Sequence, residues 1–361
     1  MGVKFAVVGC GRIGSRHLEH IANYAELAAV CDINENKAAE FGKKYSVPHF
    51  NDLEKLLTTE TDVDVVSVCT PNGLHARHSI LALQHEKHVL CEKPMALSAK
   101  DGWLMVNEAE RAGKQLFIVK QNRFNPPVQK VKEVIDSGML GNIYSAQVNC
   151  FWNRNERYYS ESDWKGSRNL DGGILFTQFS HFIDLMYWFL GDVRRVFSVS
   201  GKFHHKDLLE FEDTIISTIE FHSGALATLN CTINCHQKNM EGSITIFAEK
   251  GTIKIGGQYL NVLEYQNIED HVIEEIESHR PANDYGYYQG SMSNHDKVIL
   301  NVVDVLQNNG RIATSGYEGI KTVEIIENIY SNNYQSHQNE GVNGNGHNKV
   351  ASSTPINIAN Y

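Results

Sequence analysis

Lys4-Phe5-Ala6-Val7-Val8-Gly9-Cys10-Gly11-Arg12-Ile13-Gly14 is the stretch on which the fold turns. An apolar run leads into a Gly-x-Gly-x-x-Gly string, and a helix-like pattern follows. In that setting the string means dinucleotide binding rather than chance. Gly9 allows a tight turn, Gly11 lets the backbone approach a pyrophosphate, and Gly14 lets a helix lie close on the strand. The N–H groups at the helix start, around Arg12 and Ile13, offer partial positive charge to phosphates. The next apolar run, Leu27–Cys31, ends at Asp32. A carboxylate there accepts a ribose 2′-hydroxyl and repels a 2′-phosphate, so NAD is expected rather than NADP. Asp32 can also cap the helix pattern over Asn34–Lys44, and the two roles are compatible.

Outward from this motif, Val63–Cys69, Lys87–Cys91 and Gln115–Val119 are further short apolar runs, with amphipathic patterns over Gly73–Gln84 and Ser98–Ala112 between them. Such alternation predicts an α/β fold whose first part is a doubly wound, parallel Rossmann sheet covered on both faces. Pro126-Pro127 marks a break, after which a helix-like segment runs to Ser137-Gly138. From Ile143 the pattern changes to alternating strands, Ile143–Trp152, Asp213–Phe221, Ala225–Asn234 and Ser243–Ala248, which predict a mostly antiparallel sheet. Leu175–Leu190 interrupts them as a helix, and Asp296–Leu306 and Glu318–Tyr330 close the pattern. The expected division is residues 1–122 for NAD, 123–330 as an α+β substrate domain, and 331–361 as a tail. That tail is rich in Asn, Gly, Ser and Gln, and too polar to offset the entropy of ordering, so it is expected to be mobile.

Composition narrows the classes. A chain of 361 residues exceeds a single core, and 42% hydrophobic with 21% charged residues is ordinary for a globular protein. A net charge of −10 without any Lys/Arg block argues against nucleic acid as a partner. No apolar run reaches membrane-spanning length, and the chain enters its first strand without a signal-peptide pattern. Seven cysteines stand singly, mostly in apolar runs, as buried thiols of a reducing compartment do, so a cytoplasmic location is expected. Cys231, Cys235 and His236 lack a second ligand pair at metal-site spacing, and no metal is expected.

Three segments carry reactive groups. Cys91-Glu92-Lys93-Pro94 ends an apolar strand where an open parallel sheet holds its ligands. Lys93 there can hydrogen-bond an alcohol oxygen and stabilise developing alkoxide character; its alternative is a surface pair with Glu92. Thr70-Pro71-Asn72 ends the preceding strand as a turn fit to lie against the cofactor, or to cap the next helix. His75 is near enough to touch the cofactor, whereas His78 is expected to be merely exposed. In Asp171–Asp184, the spacing of Thr177, His181 and Asp184 by four and three places them on one helix face. His181 suits a general base near neutral pH, although an apolar-helix histidine is by itself more often a hydrogen-bonded core residue.

Read together, these segments resemble the glucose–fructose oxidoreductase/inositol dehydrogenase family (Gfo/Idh/MocA) over residues 3–330. The resemblance implies that Lys93 and His181 are the catalytic pair. It further implies a large, open antiparallel sheet in the second domain, used for dimer or tetramer contacts. Val119–Arg123, Phe151–Arg154, Tyr158-Tyr159, Trp164-Lys165-Gly166 and Glu241–Ile246 are similar to a narrower branch, the WlbA-type UDP-N-acetyl-2-amino-2-deoxyglucuronate 3-dehydrogenases. That likeness implies NAD-dependent oxidation of a UDP-uronate's C3 hydroxyl in surface polysaccharide (lipopolysaccharide/O-antigen) biosynthesis. In part of the branch, 2-oxoglutarate reoxidises a retained cofactor. Gly9, Gly11, Arg12, Ile13, Gly14, Asp32, Thr70, Pro71, Asn72, His75, Glu92, Lys93, Gln121, Trp164 and Lys165 would frame NAD. Lys93, Arg154, Tyr158, Tyr159, Lys165, Arg168, Thr177, Gln178 and His181 would meet the sugar nucleotide, because arginine grips carboxylate or phosphate through paired hydrogen bonds. Two departures stand out: Thr177 replaces an aspartate of the wider family and an amide of the branch, and Lys165 replaces the branch's arginine. The alternatives are a dehydrogenase of a free sugar or inositol, and a non-catalytic NAD(H)-sensing protein, which would need neither Lys93 nor His181.

Overall fold

The computed structural model describes residues 2–274, 282–284, 286 and 289–335. Its first part runs β1 (Lys4–Val8), α1 (Arg12–Tyr24), β2 (Glu26–Cys31), α2 (Glu35–Tyr45), β3 (His49–Phe50), α3 (Leu53–Thr59), β4 (Val65–Val68), α4 (His75–Gln84), β5 (His88–Cys91), α5 (Ala99–Ala112) and β6 (Leu116–Ile118). The strands form a wholly parallel sheet in the order β3-β2-β1-β4-β5-β6. Chain direction across the sheet reverses between β1 and β4, and ligands of such sheets bind at that switch, beyond the strands' carboxyl ends. The pair β3 and α3, too short and polar to register as an apolar run, was not foreseen.

The second part opens on α6 (Pro126–Asp136), where the two prolines occupy the first helical turn, which has no need of their N–H groups. There follow β7 (Ile143–Phe151), α7 (Glu156–Ser160), α8 (Ile174–Thr177), α9 (Ser180–Leu190), β8 (Val193–Gly201), β9 (Thr214–Phe221), β10 (Leu226–Thr232), β11 (Glu241–Ala248), β12 (Gly251–Gly256) and β13 (Val262–Ile268). A two-stranded ribbon of β14 (Ala282–Asp284) and β15 (Gln289–Met292) precedes α10 (His295–Asn308), α11 (Gly316–Ser331) and β16 (Asn333–Gln335). The large sheet has eight strands in the order β13-β12-β11-β7-β10-β9-β8-β16, antiparallel except where β7 meets β10 and β8 meets β16. One face is packed under helices, with Ala146, Val148 and Cys150 of β7 lying in the same core as Phe182, Ile183 and Met186 of α9. The other face carries exposed Phe197, Val199, Ile216, Leu226 and Phe247.

Several expectations change here. The Leu175–Leu190 helix is two helices, because the chain leaves helical geometry around Gln178-Phe179. β8, β12 and β13 were not anticipated. In β8 the usual pattern is inverted, since Phe197 and Val199 face outward while Ser198 and Ser200 are buried. The Ser198 and Ser217 hydroxyls satisfy one another at 2.7 Å. Helix α10, late in the chain, packs Val298, Ile299 and Val302 against Phe5, Val7, Leu18 and Ile21 of the first unit. Of the expected tail, Asn333–Gln335 forms β16, and residues 336–361 lie outside the described residues. No helix among the described residues is long and apolar enough to cross a membrane, and all seven cysteines are free thiols.

Candidate active site

A cleft of about 950 Å³ runs over the carboxyl ends of β1 and β4 and is closed on its far side by segments of the second unit. Its first wall is made of backbone. Gly9 has φ +91°, and a Cβ there would stand 2.7 Å from the carbonyl oxygen of Cys69. A Cβ on Gly14 would stand 1.8 Å from the Gly9 oxygen, which fixes how closely α1 lies on β1. At Gly11, by contrast, a Cβ would meet nothing within 4 Å, so the bare backbone faces open space. Gly11 is the N-cap of helix α1 and provides no side-chain cap, so the first N–H groups of the helix stand uncapped at the cleft. Asp32 accepts from Cys10 N–H (2.8 Å) and Asn34 N–H (2.9 Å), which hold its carboxylate at the rim. The cap of α2 is Asn34 and not Asp32. This cradle fits a dinucleotide: a tight turn, an uncapped helix start, and a carboxylate beyond the second strand.

At the other end, β5 delivers Glu92 and Lys93 to the cleft floor. Lys93 does not pair with Glu92. Its Nζ donates to the Thr177 carbonyl at 2.9 Å, and burial draws its pKa down from the ordinary lysine value. The Glu92 carboxylate instead accepts from His17 Nε2 (2.9 Å) and from the Lys93 backbone N–H (3.0 Å). His181, in the first turn of α9, is 2% exposed and lines the same cleft. Burial, followed by the charges of Lys93 and Lys120, holds its pKa well below the usual imidazole range, so the ring is neutral at neutral pH. The Gln121 amide donates to His181 Nε2 at 3.1 Å.

The helix break leaves Thr177 in α8 and His181 and Asp184 in α9, so the expected face shared by all three is not formed. Asp184 turns away from the cleft into a buried ion cluster, held by Arg123 (2.8 and 2.9 Å) and 3.5 Å from Lys120. Thr177 lines the cleft and donates its hydroxyl to the Asp171 carboxylate, while accepting from Asn72 Nδ2 (2.8 Å). Asp171 is 1% exposed, and burial raises its pKa to about 6. A carboxylate therefore stands one hydroxyl behind position 177. Asn72 also reaches the Asp171 carbonyl (2.9 Å), so the turn Thr70-Pro71-Asn72 ties the two walls together rather than capping a helix. His75 is buried, its ring nitrogens 2.6 and 2.7 Å from the carbonyls of Pro94 and Thr70. His78, expected to be only exposed, is a cleft residue bonded to the Thr70 hydroxyl at 3.0 Å.

The second wall is made of side chains. Arg154 is 2% exposed and sandwiched at 5.0 and 5.3 Å from the Trp152 and Tyr158 rings. Its Nε donates to Gln178 (2.7 Å), whose amide in turn donates to the Tyr158 hydroxyl (2.7 Å). Lys165 sits 3.6 Å over the Tyr158 ring, and burial together with Arg12 and Arg154 lowers its pKa to about 7. Trp164 lines the cleft beside it. Two expected residues lie elsewhere. Tyr159 is buried edge-on against Tyr158 and His205, and Arg168 is exposed and bonded to Glu210. Sequence reasoning gave no place in the site to Glu161, Asp163 and His295, which line the cleft without a motif of their own, nor to Trp152, which it quoted only as part of the Phe151–Arg154 segment.

Comparison with known proteins agrees with this layout. Residues 3–120 match the model of an oxidoreductase family with an NAD-binding Rossmann fold, and residues 128–254 match the GFO/IDH/MocA C-terminal domain. The chain is 30% identical over 247 residues to D-glucoside 3-dehydrogenase of Escherichia coli, covering 63% of this chain and 69% of that protein. The WlbA dehydrogenase of Bordetella pertussis, solved with NADH and UDP-GlcNAcA, superposes with a TM-score of 0.82 at 33% identity, covering 92% of this chain and 96% of that one. The WlbA enzyme of Chromobacterium violaceum, solved with the same two ligands, superposes with a TM-score of 0.83 at 34% identity, over 92% and 93% of the two chains.

Proposed function

The chain belongs to the Gfo/Idh/MocA oxidoreductase family, NAD-dependent enzymes acting on sugar hydroxyl groups, and on that premise we propose that it oxidises the C3 hydroxyl of a UDP-N-acetylglucosaminuronate-type sugar nucleotide to the ketone. The observation that carries the proposal is that Lys93 and His181, far apart in sequence, line one cleft whose opposite wall holds Arg154 and Lys165. NAD, when bound, accepts a hydride from the carbon bearing the hydroxyl. Gly9, Gly11, Arg12, Ile13, Asp32, Thr70, Pro71, Asn72, His75, Glu92 and Gln121 would hold it.

Lys93 donates a hydrogen bond to the reacting oxygen and stabilises negative charge as it develops there. His181, neutral because it is buried among cations, takes the hydroxyl proton at Nε2, where the substrate hydroxyl replaces the Gln121 amide. Asp171 acts through the Thr177 hydroxyl to hold the loop whose carbonyl orients Lys93. Arg154 and Lys165 face the substrate's carboxylate and diphosphate. The likeness to both WlbA structures over nine-tenths of the chain supports the nucleotide sugar and a place in surface polysaccharide synthesis. The apolar open face of the large sheet supports self-association as a dimer or tetramer.

The test is incubation with NAD and UDP-N-acetylglucosaminuronate, with the product analysed by mass. A sugar nucleotide lighter by two hydrogens, formed with NADH, is expected. If the cofactor is recycled in place, added 2-oxoglutarate is reduced in equal amount. A second reading, a free glucoside as substrate, is favoured by the 30% identity to D-glucoside 3-dehydrogenase. Protection against heating by UDP alone supports the nucleotide sugar. Turnover of glucosides without any UDP effect overturns it.

A further inference from the structure

Beneath the reacting end of the cleft lies a group of side chains that the hydride-transfer chemistry does not use. His17 of α1, Glu92 after β5 and His295 at the start of α10 bring a nitrogen, an oxygen and a nitrogen within 4.8 Å of one another. Their exposures are 0%, 3% and 1%. His17 is fully engaged, with Nδ1 on the Ser67 hydroxyl (2.8 Å) and Nε2 on Glu92 Oε1 (2.9 Å). His295 is not. Its Nε2 stands 3.4 Å from the same Glu92 oxygen, and neither of its ring nitrogens makes a hydrogen bond. Both Glu92 and His295 line the cleft.

A buried carboxylate needs one positive partner, and His17 supplies it. Glu92 is accordingly held well below its ordinary range: burial opposes its charge, but the hydrogen bond from His17 and the nearness of His295 outweigh it. One proton on two imidazoles makes the trio neutral, and a second proton makes it cationic. His295 is the empty seat: burial lowers its pKa despite Glu92, so it is neutral at neutral pH. Whether that second proton is tolerated depends on the charge of what occupies the cleft above. The oxidised nicotinamide ring is a cation and the reduced ring is neutral, and charges in a water-poor interior are poorly screened from each other.

We propose that His17, Glu92 and His295 form a proton-binding site coupled to the cofactor, in which His295 takes a proton from solvent when the reduced dinucleotide is bound and releases it when the oxidised form is bound. The charged and titratable groups facing this site are Arg16, His17 and His20 of α1, Cys69 after β4, His75 of α4, Glu92 and Lys93 after β5, His181 of α9 and, beside His295 on α10, Asp296. The site rests on NAD occupying the cleft, and is independent of which sugar the enzyme oxidises.

The test uses the whole protein without sugar, so its failure is distinct from failure of the substrate assignment. NAD⁺ and NADH are titrated by calorimetry in buffers of different ionisation enthalpy, from about pH 8 to about pH 5.5, across the imidazole range. NADH binding is expected to take up protons below about pH 6.5 while NAD⁺ binding does not, so that Kd(NAD⁺)/Kd(NADH) rises as pH falls, by at most about tenfold per pH unit. His295→Gln should flatten that rise. His17→Asn should move it to higher pH, because His295 then becomes the sole counter-ion of Glu92. The wild-type measurement stands without either variant. Equal proton uptake with both cofactor forms, or the full wild-type slope persisting in His295→Gln, would overturn the proposal.

Discussion

The two walls of the cleft are built by different means. The first is backbone: Gly9 at positive φ, Gly14 without room for a Cβ, and an uncapped helix start. The second is a stack of side chains, with Arg154 between Trp152 and Tyr158, Gln178 joining Arg154 to Tyr158, and Lys165 over the Tyr158 ring. A backbone wall fits the shared part of many ligands, the dinucleotide, and tolerates almost no change of shape. A side-chain wall is where specificity can be rewritten one residue at a time.

Substitutions on the two walls should therefore fail differently. The largest effect is expected from Gly14→Val. Its added atoms would collide with the Gly9 carbonyl, abolishing NAD binding and costing about 3 kcal/mol of stability. Calorimetric titration with NAD and thermal melts read both effects, and near-native NAD affinity would break the contrast. Arg154→Met is next. Losing charge-assisted contacts worth about 2–3 kcal/mol should raise KM for an anionic sugar nucleotide by roughly 30–150-fold while leaving the Kd for NAD unchanged. Matched loss of both affinities would mean that the walls are not separable. The smallest is a pH effect. Lys165, with its pKa lowered to about 7, loses its charge as pH rises through that value. KM should climb severalfold between about pH 6 and pH 8, and Lys165→Arg should level the profile, because a guanidinium keeps its charge throughout. A profile unchanged by that substitution would remove Lys165 from the substrate wall.

The same contrast explains what was legible in the sequence. Gly9, Gly11, Gly14 and Asp32 could be read because backbone geometry at a strand–helix turn admits few residues, and their spacing is local. Lys93 was legible for a similar reason, since the end of a parallel strand is a fixed place. Its partner was not. Glu92, its chain neighbour, turns to His17, and Lys93 reaches a carbonyl 84 residues away. The helix period put Thr177, His181 and Asp184 on one face, but the break at Gln178-Phe179 leaves Thr177 on a separate helix, and Arg123 holds Asp184 in the interior. Thr177 looked like the loss of a carboxylate, yet Asp171 stands behind its hydroxyl, a compensation visible only once the loop is folded. Arg168 has the right chemistry for an anion, but its guanidinium donates to the main-chain carbonyl of Glu210, 42 residues on, whose carboxylate takes the Arg168 backbone N–H. His295 carried no motif at all. It reaches the cleft because α10 returns to cover the first sheet.

In the proposed mechanism Lys93 and His181 act on one hydroxyl beside one nicotinamide. Single-turnover appearance of reduced-nicotinamide absorbance, with UDP-N-acetylglucosaminuronate and saturating NAD, tests it most directly when wild type, Lys93→Met and His181→Asn are compared. Each variant should bind NAD normally and reduce it about 10²–10⁴-fold more slowly. A wild-type rate in either variant would contradict that mechanism.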